Sequence, residues 1–77
     1  MEAIYMGEKS REASVGDFVM TEGNVRAIVI AVNGISVKIV GVKIDKTTGD
    51  SIILNPLYIH DLPASQCHYS EKQALNR

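Results

Sequence analysis

The dipeptide Asn33-Gly34 stands between two runs of strand-forming residues, Val25 to Val32 and Ile35 to Ile44. A tight hairpin turn needs positive φ at its centre, which asparagine and glycine tolerate, so the chain is expected to fold back there. A two-residue loop on Asn33 and Gly34 sets Val32 opposite Ile35, Ile30 opposite Val37, Ile28 opposite Ile39 and Arg26 opposite Gly41. The stacked aliphatic pairs mark that side as the expected core face. The other side then carries Ala31 with Ser36, Val29 with Lys38, Ala27 with Val40 and Val25 with Val42. It is polar at the tip and apolar at the base, so the base calls for a cover: barrel closure, the terminal segments or a second copy of the chain. Gly41, inside a long strand, is placed for a bulge or sharp bend and favours closure.

The remainder of the chain fits a meander. The apolar content is mostly Val and Ile, with one Phe and no Trp, which favours strands. Val15-Gly16-Asp17 leads into a strand from Phe18 to Thr21, and Glu22-Gly23-Asn24 is a turn. Asp45 to Asp50 is a second turn. Ser51 to Leu54 makes a short strand stopped by Asn55-Pro56, where proline excludes a central ladder position. Leu57 to Ile59 resumes as the last short strand. The expected fold is therefore all-β: a small SH3-like barrel or a strongly bent antiparallel meander of about five strands. Residues 1–14 form an N-terminal segment with an edge strand at its start, residues 15–63 the β domain, and residues 64–77 a polar tail, flexible or short-helical with Ser70 as its cap.

Charge and chemistry narrow the functions. Eight Lys and Arg against nine Asp and Glu give a net charge of −1 with no basic block, so composition does not favour a nucleic-acid partner. The residues such binding would use are Arg26, Lys38, Lys43 and Lys46, with Tyr5, Phe18, Tyr58 or Tyr69 for stacking. The cluster His60, Asp61, Cys67 and His68 lacks the spacing of a structural zinc site, and an adjacent Cys67-His68 pair in a tail has no third group to orient a base. No metal, no cofactor and no catalytic residue is expected. Cys67 reads as a solvent-facing or docking thiol. As the single cysteine it excludes an internal disulfide, and the start MEAIYM lacks the charge and length of a signal peptide. No apolar run approaches the ~20 residues of a spanning helix. A cytoplasmic protein without membrane contact is expected.

Val15-Gly16-Asp17-Phe18-Val19, Gly23 before the Val25 strand, Asn33-Gly34 and the closing Ile59-His60-Asp61-Leu62 together resemble a KOW or SH3-like small barrel, over Val15 to Leu62. The resemblance implies a domain that binds RNA, ribosomes or other proteins. The chain departs from nucleic-acid-binding members in lacking their basic balance and the usual second Gly-rich turn. A fainter likeness to the carbon-storage-regulator family stops at Gly16-Asp17 and the hairpin.

The expected function is a non-enzymatic protein-interaction module, an accessory or mobile-element protein that self-associates into a homo-oligomer or takes another protein partner. Its candidate interaction face is Val25, Ala27, Val29, Val40 and Val42. A nucleic-acid-binding barrel using Arg26, Lys38, Lys43 and Lys46 is the alternative.

Overall fold

β-branched residues dominate the segments that form strands, and glycine, asparagine and aspartate occupy the joints. The computed structural model describes residues 2–7 and 11–70. They build β1 (Phe18–Thr21), β2 (Arg26–Asn33), β3 (Ser36–Ile44), β4 (Ser51–Ile53), β5 (Ile59–Pro63) and β6 (Cys67–Tyr69), with a 3₁₀ turn at Ala64–Gln66. All six belong to one antiparallel sheet in the order β4-β3-β2-β1-β6, and β5 also pairs with β3. Its outer strands do not pair with each other, so the sheet is an open, bent meander and not a closed barrel.

The hairpin forms, but in a different register. Its turn is centred on Gly34 and Ile35, with Asn33 paired to Ser36. Gly34 takes the positive φ, 61°, at the first central position, the type II′ arrangement that requires glycine only there. From the tip the pairs run Val32 with Val37 and Ala31 with Lys38; beyond a bulge at Ile30 they run Val29 with Ile39, Ile28 with Val40 and Ala27 with Gly41. Side chains alternate between faces, so a one-residue slip turns one strand over against its partner. Val37 and Ile39 face the core as expected. On β2 the core face belongs to Ala27 and Val29, while Ile30 and Val32 are exposed.

That core lies on what we call the inner face. Val19, Ala27, Val29, Val37, Ile39 and Cys67 pack there with Ala64, and the N-terminal segment lays Ala3, Tyr5 and Ala13 across them. Each fully buried aliphatic side chain of Val or Ile size contributes about 1.5–3 kcal/mol. The segment is held by its own short ladder, Tyr5 N–H to the Arg11 carbonyl at 2.9 Å and Ala13 N–H to the Ala3 carbonyl at 2.7 Å. Where a flexible tail was expected from residue 64, the chain instead turns once and enters the sheet as β6 beside β1, pairing Val19 with Tyr69 and Thr21 with Cys67. The Ser70-capped helix expected over 71–76 lies outside the described residues.

Gly41 marks a join rather than a bulge in its own strand. Its N–H donates to the Tyr58 carbonyl at 2.8 Å and its carbonyl accepts from Leu54 at 3.0 Å. β4 and β5 are thus one edge strand interrupted at Asn55, Pro56 and Leu57, and Gly41 receives both broken ends. A Cβ there would lie 2.8 Å from Leu54 Cδ1 and 3.1 Å from Tyr58 Cβ, so only glycine admits both without displacement.

Candidate functional site

Two elements give the outer face its character. β3 alternates strictly, so Lys38, Val40, Val42 and Ile44 turn away from the core that Val37 and Ile39 fill. Their register partners share that side: Ile28 and Ile59 with Val40, Ile53 with Val42, Asp61 with Lys38. β1 adds Phe18, opposite Ile28, and Met20, opposite Arg26. Phe18, Met20, Arg26, Val42, Ile44 and Ser70 enclose a shallow hollow on it.

The expected interaction face is therefore divided. Ala27 and Val29 are wholly buried in the core, whereas Val40 and Val42, though also shielded, belong to the outer side. Val25 is half-buried at the foot of β2. The register slip explains the split: the strands were brought together one residue out of step. The large apolar side chains that do reach solvent include Ile53 and Ile59, 54% and 45% exposed on the outer face, and Leu57 between them at 63%. Sequence reasoning passed over these three. The signal available was Pro56, which confines its strand to a sheet edge.

The backbone of this edge has a definite pattern. Gly41 bonds to Tyr58, and farther along Ala64 N–H donates to the Ile35 carbonyl at 3.0 Å, so Tyr58, His60 and Leu62 turn their peptide groups to β3. Ile59 and Asp61 turn theirs outward, and among the described residues nothing pairs with them. Pro63, the next outward position, has no N–H to offer. The opposite edge is capped: Met6 N–H donates to the Cys67 carbonyl at 2.9 Å, and Met6 bridges His68.

The basic candidates do not converge. Arg26 and Lys38 share the outer face, but Lys38 lies four residues along β3 from Val42, the neighbour of Arg26 in the hollow, a span of roughly 13 Å. Lys43 turns to the other face, and Lys46 sits in a loop between Asp45 and Asp50. Of the aromatic candidates Phe18 lies beside Arg26 at the hollow, while the three tyrosines are engaged within the chain. Tyr5 is buried, its ring stacked 5.9 Å from that of Tyr69, and Arg11 lies 4.2 Å over Tyr69. Tyr58 packs on the core and its ring lies 4.4 Å from that of His60.

Two groups have displaced acidity. Burial pushes the Tyr5 phenol far up, reinforced by donation of its O–H to Asp17 Oδ2 at 2.7 Å. The same carboxylate oxygen accepts from Ser14 N–H at 2.9 Å, so Asp17 ties the N-terminal segment to the start of β1. Burial likewise pushes up the Cys67 thiol, with Glu22 adding to the effect. Cys67 is thus an inward core residue, which overturns the solvent-facing half of the expected solvent-facing or docking thiol. It stands on β6 while His60 and Asp61 stand on β5, at opposite ends of the sheet order. Among the described residues no three His, Cys, Asp or Glu side chains gather as metal ligands. Nor is any described helix long and apolar enough to cross a membrane.

Comparison with family models, with curated proteins and with solved structures returned no match.

Proposed function

We propose that the protein is a non-enzymatic interaction module of SH3-like kinship that binds another polypeptide through the β4–β5 side of its sheet. The observation carrying this reading is the concentration of Ile53, Leu57 and Ile59, all substantially exposed, beside a row of outward backbone groups. Solvent-facing apolar clusters of this kind suit protein contact, and the free peptide groups add hydrogen-bonding capacity that a lipid or nucleic acid would not match. The SH3-like kinship rests on the Val15-Gly16-Asp17-Phe18-Val19 opening, Asn33-Gly34 and the closing Ile59-His60-Asp61-Leu62. A nucleic-acid reading loses ground because Lys43 turns from Arg26 and Lys38 and the tyrosine rings are occupied.

A photo-crosslinking residue in place of Leu57, activated in cells of the source organism, tests the proposal. The expected adduct is protein, lost when Ile53→Lys and Ile59→Lys are added. An adduct with nucleic acid, or none at all, would overturn it.

A further inference from the structure

We infer that the polypeptide paired at the free edge is a second copy of this chain, joined β5 to β5 about a two-fold axis beside His60. The inference rests on the interaction-module reading and names its partner. Ile59 and Asp61 are the β5 residues whose N–H and C=O both turn outward, and they are two positions apart. In an antiparallel pair with the axis at His60, Ile59 of each copy meets Asp61 of the other. Each such meeting exchanges both backbone hydrogen bonds, so every outward donor and acceptor of the two residues is used.

Neighbouring registers do worse. An axis at Asp61 would place the two carboxylates opposite each other and set Ile59 against Pro63, which lacks a donor. An axis at Ile59 would set Asp61 against Leu57, which lies in the interruption outside the strand. In the favoured register the Asp61 carboxylate keeps Lys38 of its own chain as its cross-strand neighbour on one side. On the other it meets Ile59 of the second copy, and the two outer faces join into one apolar surface. The break at 55–57 and Pro63 bracket the edge, so it suits one finite two-fold pairing and not an open-ended fibre.

Sedimentation equilibrium and amide exchange, run on the full chain across micromolar to millimolar concentration, test this directly. Expected is a concentration-dependent species of twice the 8.4 kDa chain mass, with exchange at Ile59 and Asp61 slowed about tenfold or more as it forms. Asp61→Pro, which removes an outward donor and leaves the β3 ladder intact, should abolish the dimer. Ile59→Asp, which sets a second carboxylate opposite Asp61 of the other copy, should weaken it and serves if the proline variant does not fold. A monomer at every concentration overturns the inference, as does a dimer in which Ile59 and Asp61 exchange as fast as in the monomer. Either failure leaves the module reading standing if Leu57 still crosslinks to a different protein, and that reading falls only on the crosslinking result.

Discussion

At the β6 edge the Cys67 carbonyl accepts a hydrogen bond from Met6, and the same N-terminal segment lays Tyr5 over the core; at the β5 edge Ile59 and Asp61 meet no described backbone group. One segment therefore finishes one edge and one face together. The other edge remains unpaired among the described residues, and on the outer face Val40 and Val42 are shielded while Ile53 and Ile59 stay exposed beside it. A chain of this size can bury only one good core, so a second apolar side is informative in a way that exposed single residues are not.

Removing the cover should make the largest difference between the edges. Tyr5→Ala deletes a buried ring and the tie to Asp17, and should cost about 3 kcal/mol or more in urea melts. Its amide-exchange signature should be faster exchange across β6 before β4 or β5 responds; equal loosening of both edges would break the contrast. Gly41→Ala attacks the other side. Its Cβ must displace Leu54 and Tyr58, so a loss of about 1–3 kcal/mol is expected, with β4 losing protection first. Tyr5→Phe keeps the ring and loses only the bond to Asp17, for about 1–2 kcal/mol.

The alkaline limb gives a sharper test of the covered side. Burial raises the folded-state pKa of both Tyr5 and Cys67 above their ordinary values of 10.0 and 9.0. The fold favours their neutral forms, so the stability linked to them is complete below those values and drains away as pH rises beyond them. Unfolding free energy should therefore fall from about pH 9 upward, and Tyr5→Phe should flatten the part of that slope beginning near 10. An unchanged slope would deny Tyr5 its part. The smallest effect belongs to Arg11→Ala, which removes the guanidinium over Tyr69 for about 0.5–1 kcal/mol, seen as a slight fall in melting temperature.

Much of this architecture could be read in the chain itself. Val and Ile runs broken by Gly, Asn and Asp announced β1 through β4, and Asn33-Gly34 announced the hairpin. The register was not legible, because glycine served at the first central turn position and Ile30 became an extra, unpaired residue. A bulge conserves composition and alternation on either side of itself, so nothing local betrays it. Cys67, His68 and Tyr69 read as tail since three residues carry no period. Their strand character comes from β1, which lies far away in sequence. Of the candidate site, Val40 and Val42 were correctly removed from the face of Val37 and Ile39. Ala27 and Val29 were matched to them only through the wrong register. Ile53, Leu57 and Ile59 lay in segments too short to suggest a surface.

The pairing of β1 with β6 also orders events during synthesis. The segment that holds Tyr5 and Met6 is made before β1, yet the Cys67 carbonyl that receives Met6 and the Tyr69 ring that receives Tyr5 are made only after β5. The β2–β3 hairpin can close through local contacts as it emerges, but the segment ahead of β1 has no finished seat until nearly all of the described chain is free. A nascent chain arrested before Cys67 should carry a formed hairpin and an unroofed core, and its completion depends on the final strand of the sheet.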